Sequence, residues 1–179
     1  MRHWIVLLGL VLLPSIASAQ TEREWQSEVL KTFRAHIDPA TTEEYVLDDN
    51  TRVDLVTSTH AIEIDFDKKV YEGIGQALFY GEKLNKSYGV LLLPKGERDV
   101  EEKYFDRFWV ATRHVRVELW TVCEGANPGE YHLLHWKTPT TVELVGQVQR
   151  PYKTQQTKTA PRFVSELMQR DPFAPDVPE

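Results

Sequence analysis

Cysteine is almost missing from this 179-residue chain: the single thiol, Cys123, has no partner for an intrachain disulfide and cannot by itself frame a thiolate zinc cluster. A basic excess is missing too. The 21 Lys and Arg are outnumbered by 27 Asp and Glu, a formal net charge of −6, which argues against a generally basic nucleic-acid coat and against a polybasic membrane binder. An anionic ligand would therefore need a local positive pocket or a metal ion. No apolar run reaches the roughly 20 residues that span a bilayer. What is present is ordinary, 41% hydrophobic and 27% charged residues, enough for one sizeable core and so for one domain, two at most.

The first 19 residues read as an address and not as part of the fold. Arg2 and His3 give a short positive start, residues 5–13 are apolar, Pro14 and Ser15 break the run, and Ala17-Ser18-Ala19 is a small-residue cleavage site. The expectation is a secretory signal cut before Gln20, a periplasmic or secreted mature protein, and no membrane association after cleavage.

Beyond the leader, Trp25, Val29, Phe33 and Ile37 recur every four residues, which predicts a helix ending at Asp38-Pro39. The period then falls to two. Residues 44–47, 51–57 and 61–66 are separated by Asp48-Asp49-Asn50 and Ser58-Thr59-His60, the pattern of a three-stranded meander. A second helix is predicted over 68–84, packing Val70, Ile74, Ala77, Leu78 and Gly81. Its Gly73, Gly75 and Gly81 each cost about 1 kcal/mol relative to alanine, so close approach to a sheet or a ligand is expected to offset them.

Residues 88–93 are almost continuously apolar, as a strand buried on both faces requires. A helix over 101–114 and a strand over 115–122 complete a parallel βαβ unit. Residues 131–136 and 141–148 predict an additional hairpin around Thr138-Pro139-Thr140. After Arg150 proline becomes frequent, and a loosely held tail over 150–179 is expected. The fold class is α/β with a mixed central sheet in a single domain over 20–149.

The meander places its acids informatively. A turn centred on Ser58-Thr59 makes cross-strand partners sum to 117, which sets Asp54 opposite Glu63, at a distance where like charges destabilise. Ile62, Ile64 and Phe66 share one face, and Glu63 and Asp65 the other. Three carboxylates on one sheet face must protonate in part or bind a cation, and an oxygen-only set suits Mg²⁺ or Mn²⁺. The alternative is a solvated face on which acids merely alternate with apolar residues. On the second helix Lys69, Gly73, Gln76 and Tyr80 form one stripe, a cation, a bare backbone position, an amide and a phenol in line, suited to a phosphodiester strand.

These residues, in this order, resemble the PD-(D/E)xK nuclease superfamily. Asp54 matches its metal-binding Asp, Glu63-Ile64-Asp65 stands at the second motif, and Gln76-Ala77-Leu78-Phe79-Tyr80 is similar to the Q-x-x-x-Y motif of the RecB-like branch. The resemblance covers about residues 21–122. It implies a restriction-endonuclease-like core (helix, three-stranded meander, helix, strand, helix, strand) and a Mg²⁺- or Mn²⁺-dependent nuclease, with DNA favoured over RNA as substrate.

Asp54 and Glu63 would hold the metal with Asp65, and Gln76, Tyr80 and Gly73 would meet the substrate. Asp65 occupies the family's lysine position, so the resemblance implies a lysine supplied from the following helix, Lys69. Glu44 is a further candidate acid, and Lys83, Lys86, Arg113 and Arg116 would form a basic rim, the alternative for each being an ordinary solvated surface position. The competing expectation is a catalytically inactive exported binding protein on the same fold. His132 and His135 would share one side of a helix, but in a strand they point to opposite faces, which disfavours a zinc pair. Cys123 reads as an idle thiol.

Overall fold

The computed structural model describes residues 22–95, 99–127 and 130–149. The expected leader and tail lie outside these residues. Among the described residues no helix is long and apolar enough to cross a membrane.

The chain runs α1 (Glu22–His36), β1 (Thr42–Val46), β2 (Arg52–Val56), β3 (His60–Phe66), a 3₁₀ turn (Asp67–Lys69), α2 (Val70–Leu84), β4 (Ser87–Leu93), α3 (Glu102–Thr112), β5 (Val117–Glu124), β6 (Glu130–Thr138) and β7 (Thr141–Gln149). The seven strands among the described residues lie in one sheet, in chain order. Pairing is parallel across β3–β4–β5 and antiparallel elsewhere, so the expected mixed α/β sheet is present. The hairpin predicted near the end of the described chain extends this same sheet as β6 and β7, antiparallel to β5.

Side-chain alternation sorts the core onto two faces. Trp25, Val29, Leu30 and Phe33 of α1 pack with Leu55, Ile62, Ile64, Leu91, Leu93 and Trp120. Val70, Ile74 and Ala77 of α2 and Phe105 and Phe108 of α3 pack with Val90, Leu92 and Leu119. Both crossover helices therefore cover one face, and α1 covers the other.

The helix expected from residue 68 begins as a 3₁₀ turn. Lys69 sits at the N-cap of α2 with φ −100° and ψ 18°, outside helical values, so the chain bends before the α-helix starts. The helix ends at Asn85 in the left-handed conformation, and the Lys86 N–H bonds the Gly81 carbonyl oxygen at 2.9 Å, a hydrogen-bonded C-cap.

The cost of Gly81 has the expected cause. A Cβ there would run into the Tyr88 ring and stand 3.0 Å from the Lys86 carbonyl oxygen. Gly75 faces open space, so nothing in the described chain explains it.

Candidate active site

The β2–β3 hairpin has the register the turn predicts: Leu55 pairs with Ile62 and Val56 with Ala61. The ladder stops one step short of Asp54 and Glu63. There Asp54 replaces a backbone acceptor with its own side chain, Oδ2 accepting the Ile64 N–H at 2.8 Å.

The ladder on the other side skips the same residue. Glu43 pairs with Leu55 and Tyr45 with Val53, but Glu44 between them has φ 52°, a left-handed value that costs a non-glycine residue on the order of 1–3 kcal/mol. The Asp54 carbonyl oxygen is taken instead by Gln26 of α1, whose Nε2 donates to it at 3.1 Å and to Glu44 Oε1 at 3.3 Å. Arg52 Nη1 closes the group on Glu44 Oε2 at 2.6 Å. Asp54 is thus lifted out of both ladders and held by side chains.

Gln26 is buried, so replacing it by an apolar residue of similar length leaves the Asp54 carbonyl oxygen without its donor. We expect Gln26→Met to cost about 1–2 kcal/mol in urea denaturation, where an exposed, unengaged glutamine would cost almost nothing.

Glu63 and Asp65 follow on the α2 face and are 7% and 2% exposed, so the solvated-face alternative does not describe them. Burial pushes the Glu63 carboxyl up to about 9, with the charges of Asp54, Asp65 and Glu22 adding to the rise and Lys69 opposing it. Burial raises Asp54 to about 7; the Ile64 N–H holds it down, and Glu22, Glu44 and Asp65 push it further up. Asp65 rises to about 6, again through burial, with Lys69 pulling it down. One oxygen of Glu63, Oε2, is buried without a hydrogen-bond partner.

Lys69 turns toward this cluster. Its Nζ stands 3.0 Å from Asp65 Oδ1 and 4.0 Å from Glu22 Oε2. Gly73, one turn on, lies over Asp65: an added Cβ would meet Asp65 Oδ2 at 3.5 Å, ordinary contact. Tyr80 is buried, hydrogen-bonded to Gln76, and its hydroxyl is pushed up by burial and then by the charge of Glu63. The structure therefore brings Asp54, Glu63, Asp65, Lys69, Gln76 and Tyr80 into one neighbourhood.

Glu22 and Gln26 also belong to it, and no periodicity in the sequence marks them. Among the described residues no three His, Cys, Asp or Glu side chains converge on a point ready to hold a metal ion. The chemistry of the donors nevertheless fits one: all are oxygens, their charges repel, and Glu63 Oε2 lacks any other partner.

Three of the four residues of the expected basic rim have partners elsewhere. Lys83 pairs with Asp48, Arg116 with Glu118, and Lys86 donates to the carbonyl oxygens of Thr57 and Ser58 at 2.7 and 2.8 Å. His132 and His135 have different acidic neighbours, Glu130 and Glu118, and make no pair.

A second polar group lies on the α1 face of the sheet. Glu118 Oε2 stands 2.9 Å from His135 Nε2 and 3.3 Å from His60 Nε2, and His135 stacks on Trp120 at 4.4 Å. The two imidazoles hold the Glu118 carboxyl far below the usual range. Cys123 is buried, and burial raises its thiol to about 12, as an idle thiol requires.

No family model matches the chain, and neither a curated protein nor a solved structure is detectably similar to it.

Proposed function

We propose that the protein is a divalent-metal-dependent nuclease that hydrolyses phosphodiester bonds, built on a restriction-endonuclease-like arrangement of helix, antiparallel meander, helix, strand, helix and strand. The observation that carries the proposal is the clustering of buried Glu63 and Asp65 with half-buried Asp54, with Lys69 reaching Asp65 from the start of α2. A fold selected for stability alone has no reason to keep mutually repelling carboxylates in its interior, because burying a charge without full compensation costs several kcal/mol. Functional sites are where such groups persist.

Asp54 and Glu63, with Asp65 beside them, would hold Mg²⁺ or Mn²⁺. A bound divalent ion supplies Lewis acidity and a water of lowered pKa. The chain's own residues do the rest. Lys69, half exposed and cationic, neutralises charge that develops on the scissile phosphate. Gln76, anchored by Tyr80, presents an amide to the strand, and Gly73 leaves the helix surface bare between them and Lys69. DNA is the proposed substrate ahead of RNA, and the leader expected at residues 1–19 would carry the activity out of the cytoplasm.

A second reading, an exported binding protein without activity, is favoured by one observation: Lys83, Lys86 and Arg116 have partners of their own away from the carboxylates, while Lys69 is the cation paired with Asp65. Incubation of the purified protein with single- and double-stranded DNA and RNA separates the two. The nuclease should cleave with Mn²⁺ or Mg²⁺, stop with EDTA, and lose about 10³-fold in rate on Glu63→Ala. Absence of cleavage together with absence of Mn²⁺ binding in calorimetry would leave the binding protein.

A further inference from the structure

The three clustered carboxylates are not equivalent. Asp65 is followed by Phe66, the 3₁₀ turn and then α2, so Lys69, four residues later, is separated from it by a strand end and a bend rather than by a turn of helix. The non-helical N-cap conformation of Lys69 sends its side chain back over the strand. The result is an ammonium 3.0 Å from Asp65 Oδ1, while Oδ2 lies beneath Gly73. Asp65 is thus buried with Oδ1 against the Lys69 ammonium and Oδ2 facing Gly73 of α2.

Asp54 and Glu63 differ from it. Asp65 Oδ1 and Glu63 Oε2 are both buried without a well-aligned hydrogen bond, but Asp65 Oδ1 has the Lys69 ammonium as its ion-pair partner. Glu63 Oε2 has no cation beside it, and Asp54 receives one backbone N–H on Oδ2. An ion that took Asp65 as a ligand would have to displace Lys69 from its nearest counter-charge, exchanging one cation for another in the same place. An ion bound by Asp54 and Glu63 displaces no cation.

Resting on the nuclease reading above, we infer that Asp65 is the tether of Lys69, a positioning residue that never enters the metal's coordination, and that Asp54 and Glu63 are the carboxylates left to meet the ion. The strand position that would otherwise carry a lysine carries its holder instead. Asp65 raises the Lys69 ammonium's hold on its proton, in keeping with this pairing. Glu22, 4.0 Å from Lys69 on the other side, limits how far the ammonium swings when the tether is cut.

The roles separate experimentally. For Asp65→Asn, a tether predicts Mn²⁺ affinity by calorimetry within about threefold of wild type and a turnover number lower by about 10²-fold. A ligand predicts affinity lower by about tenfold or more, and that result overturns the inference. Nitrogen-15 NMR of lysine ammonium groups reads the tether directly: the Lys69 signal should persist through slowed proton exchange in wild type and vanish in Asp65→Asn. A Lys69 signal unchanged by the substitution also overturns it.

If Asp65→Asn fails to fold, the relocation variant Asp65→Lys/Lys69→Ala takes its place. It moves the amine onto the strand and should bind Mn²⁺ as wild type does, whereas loss of binding with the fold intact would count against a tether. Wild-type protein that neither cleaves nor binds Mn²⁺ refutes the nuclease reading itself. The NMR comparison still decides whether Asp65 holds Lys69.

Discussion

Glu63→Gln is expected to stabilise the metal-free protein at pH 8.5 while removing the metal-dependent activity proposed above. The carboxyl titrates near 4.5 in the unfolded chain and near 9 in the fold, so between those values the folded state binds the extra proton. Stability must then fall as pH rises through that window, since it falls wherever the native state holds more protons than the unfolded one. Asp54 and Asp65, raised from 3.8 to about 7 and about 6, act in the same direction at lower pH.

Relaxation and water entry moderate the penalty, and roughly 3 kcal/mol lost between pH 5 and pH 8.5 is a reasonable size. Urea denaturation in EDTA at pH 5, 7 and 8.5 measures it. Wild type should lose midpoint steadily and Glu63→Gln much less, while a pH-independent wild type would sink the argument. Mn²⁺ at about 100 times its dissociation constant should return about 2.7 kcal/mol to wild type at pH 8.5 and little to the variant. On the nuclease proposal, activity and metal-free stability would be set against each other at one side chain.

The second large effect lies at the centre of the sheet. Gly89 on β4 stands between Ile62 on β3 and Glu118 on β5, and a Cβ there would come within 2.8 Å of both Ile62 Cγ1 and Trp120 Cζ3. Alanine in a strand is ordinarily better than glycine, but here it overpacks two buried side chains, and Gly89→Ala should cost about 1–3 kcal/mol. Trp120 fills the space that Gly89 leaves, touching Phe33, His60 and His135 at ring separations of 5.7, 5.5 and 4.4 Å.

Trp120→Ala should cost about 3–5 kcal/mol in the same denaturation assay. The pair is diagnostic. In Gly89→Ala/Trp120→Ala the added methyl no longer meets the indole, so the double variant should be at least about 1 kcal/mol more stable than the two single costs imply. Strict additivity would show that the indole is not what the glycine accommodates.

The residues of the carboxylate site were legible in the sequence because they lie within one local stretch, Arg52 to Tyr80. There a short turn fixes the pairing register, period two assigns Glu63 and Asp65 to a face, and period 3.6 aligns Lys69, Gln76 and Tyr80. The order of helices and strands was legible for the same reason.

What escaped depends on contacts between distant segments. Gln26 reaches Asp54 from α1, 28 positions away, and His60, Glu118 and His135 are gathered from three strands. No local spacing announces such meetings. The 3₁₀ turn escaped too, because a single bend before a helix leaves the apolar stripe unchanged while redirecting Lys69. Nor does counting lysines and arginines reveal that Lys83, Lys86 and Arg116 have backbone carbonyls and neighbouring acids as partners.

A sheet whose strands lie in chain order also constrains how it is assembled. Each strand docks beside the one made just before it, so no later segment has to thread between strands already paired. Loop closures stay short, the longest steps being the two helical crossovers, and the search that slows proteins with distant pairings is largely avoided. The same sequential growth leaves β1 and β7 as the two borders of the sheet. The charges of Glu43 and Glu143 on those border strands then serve a purpose apart from catalysis, discouraging one molecule's border from pairing with another's.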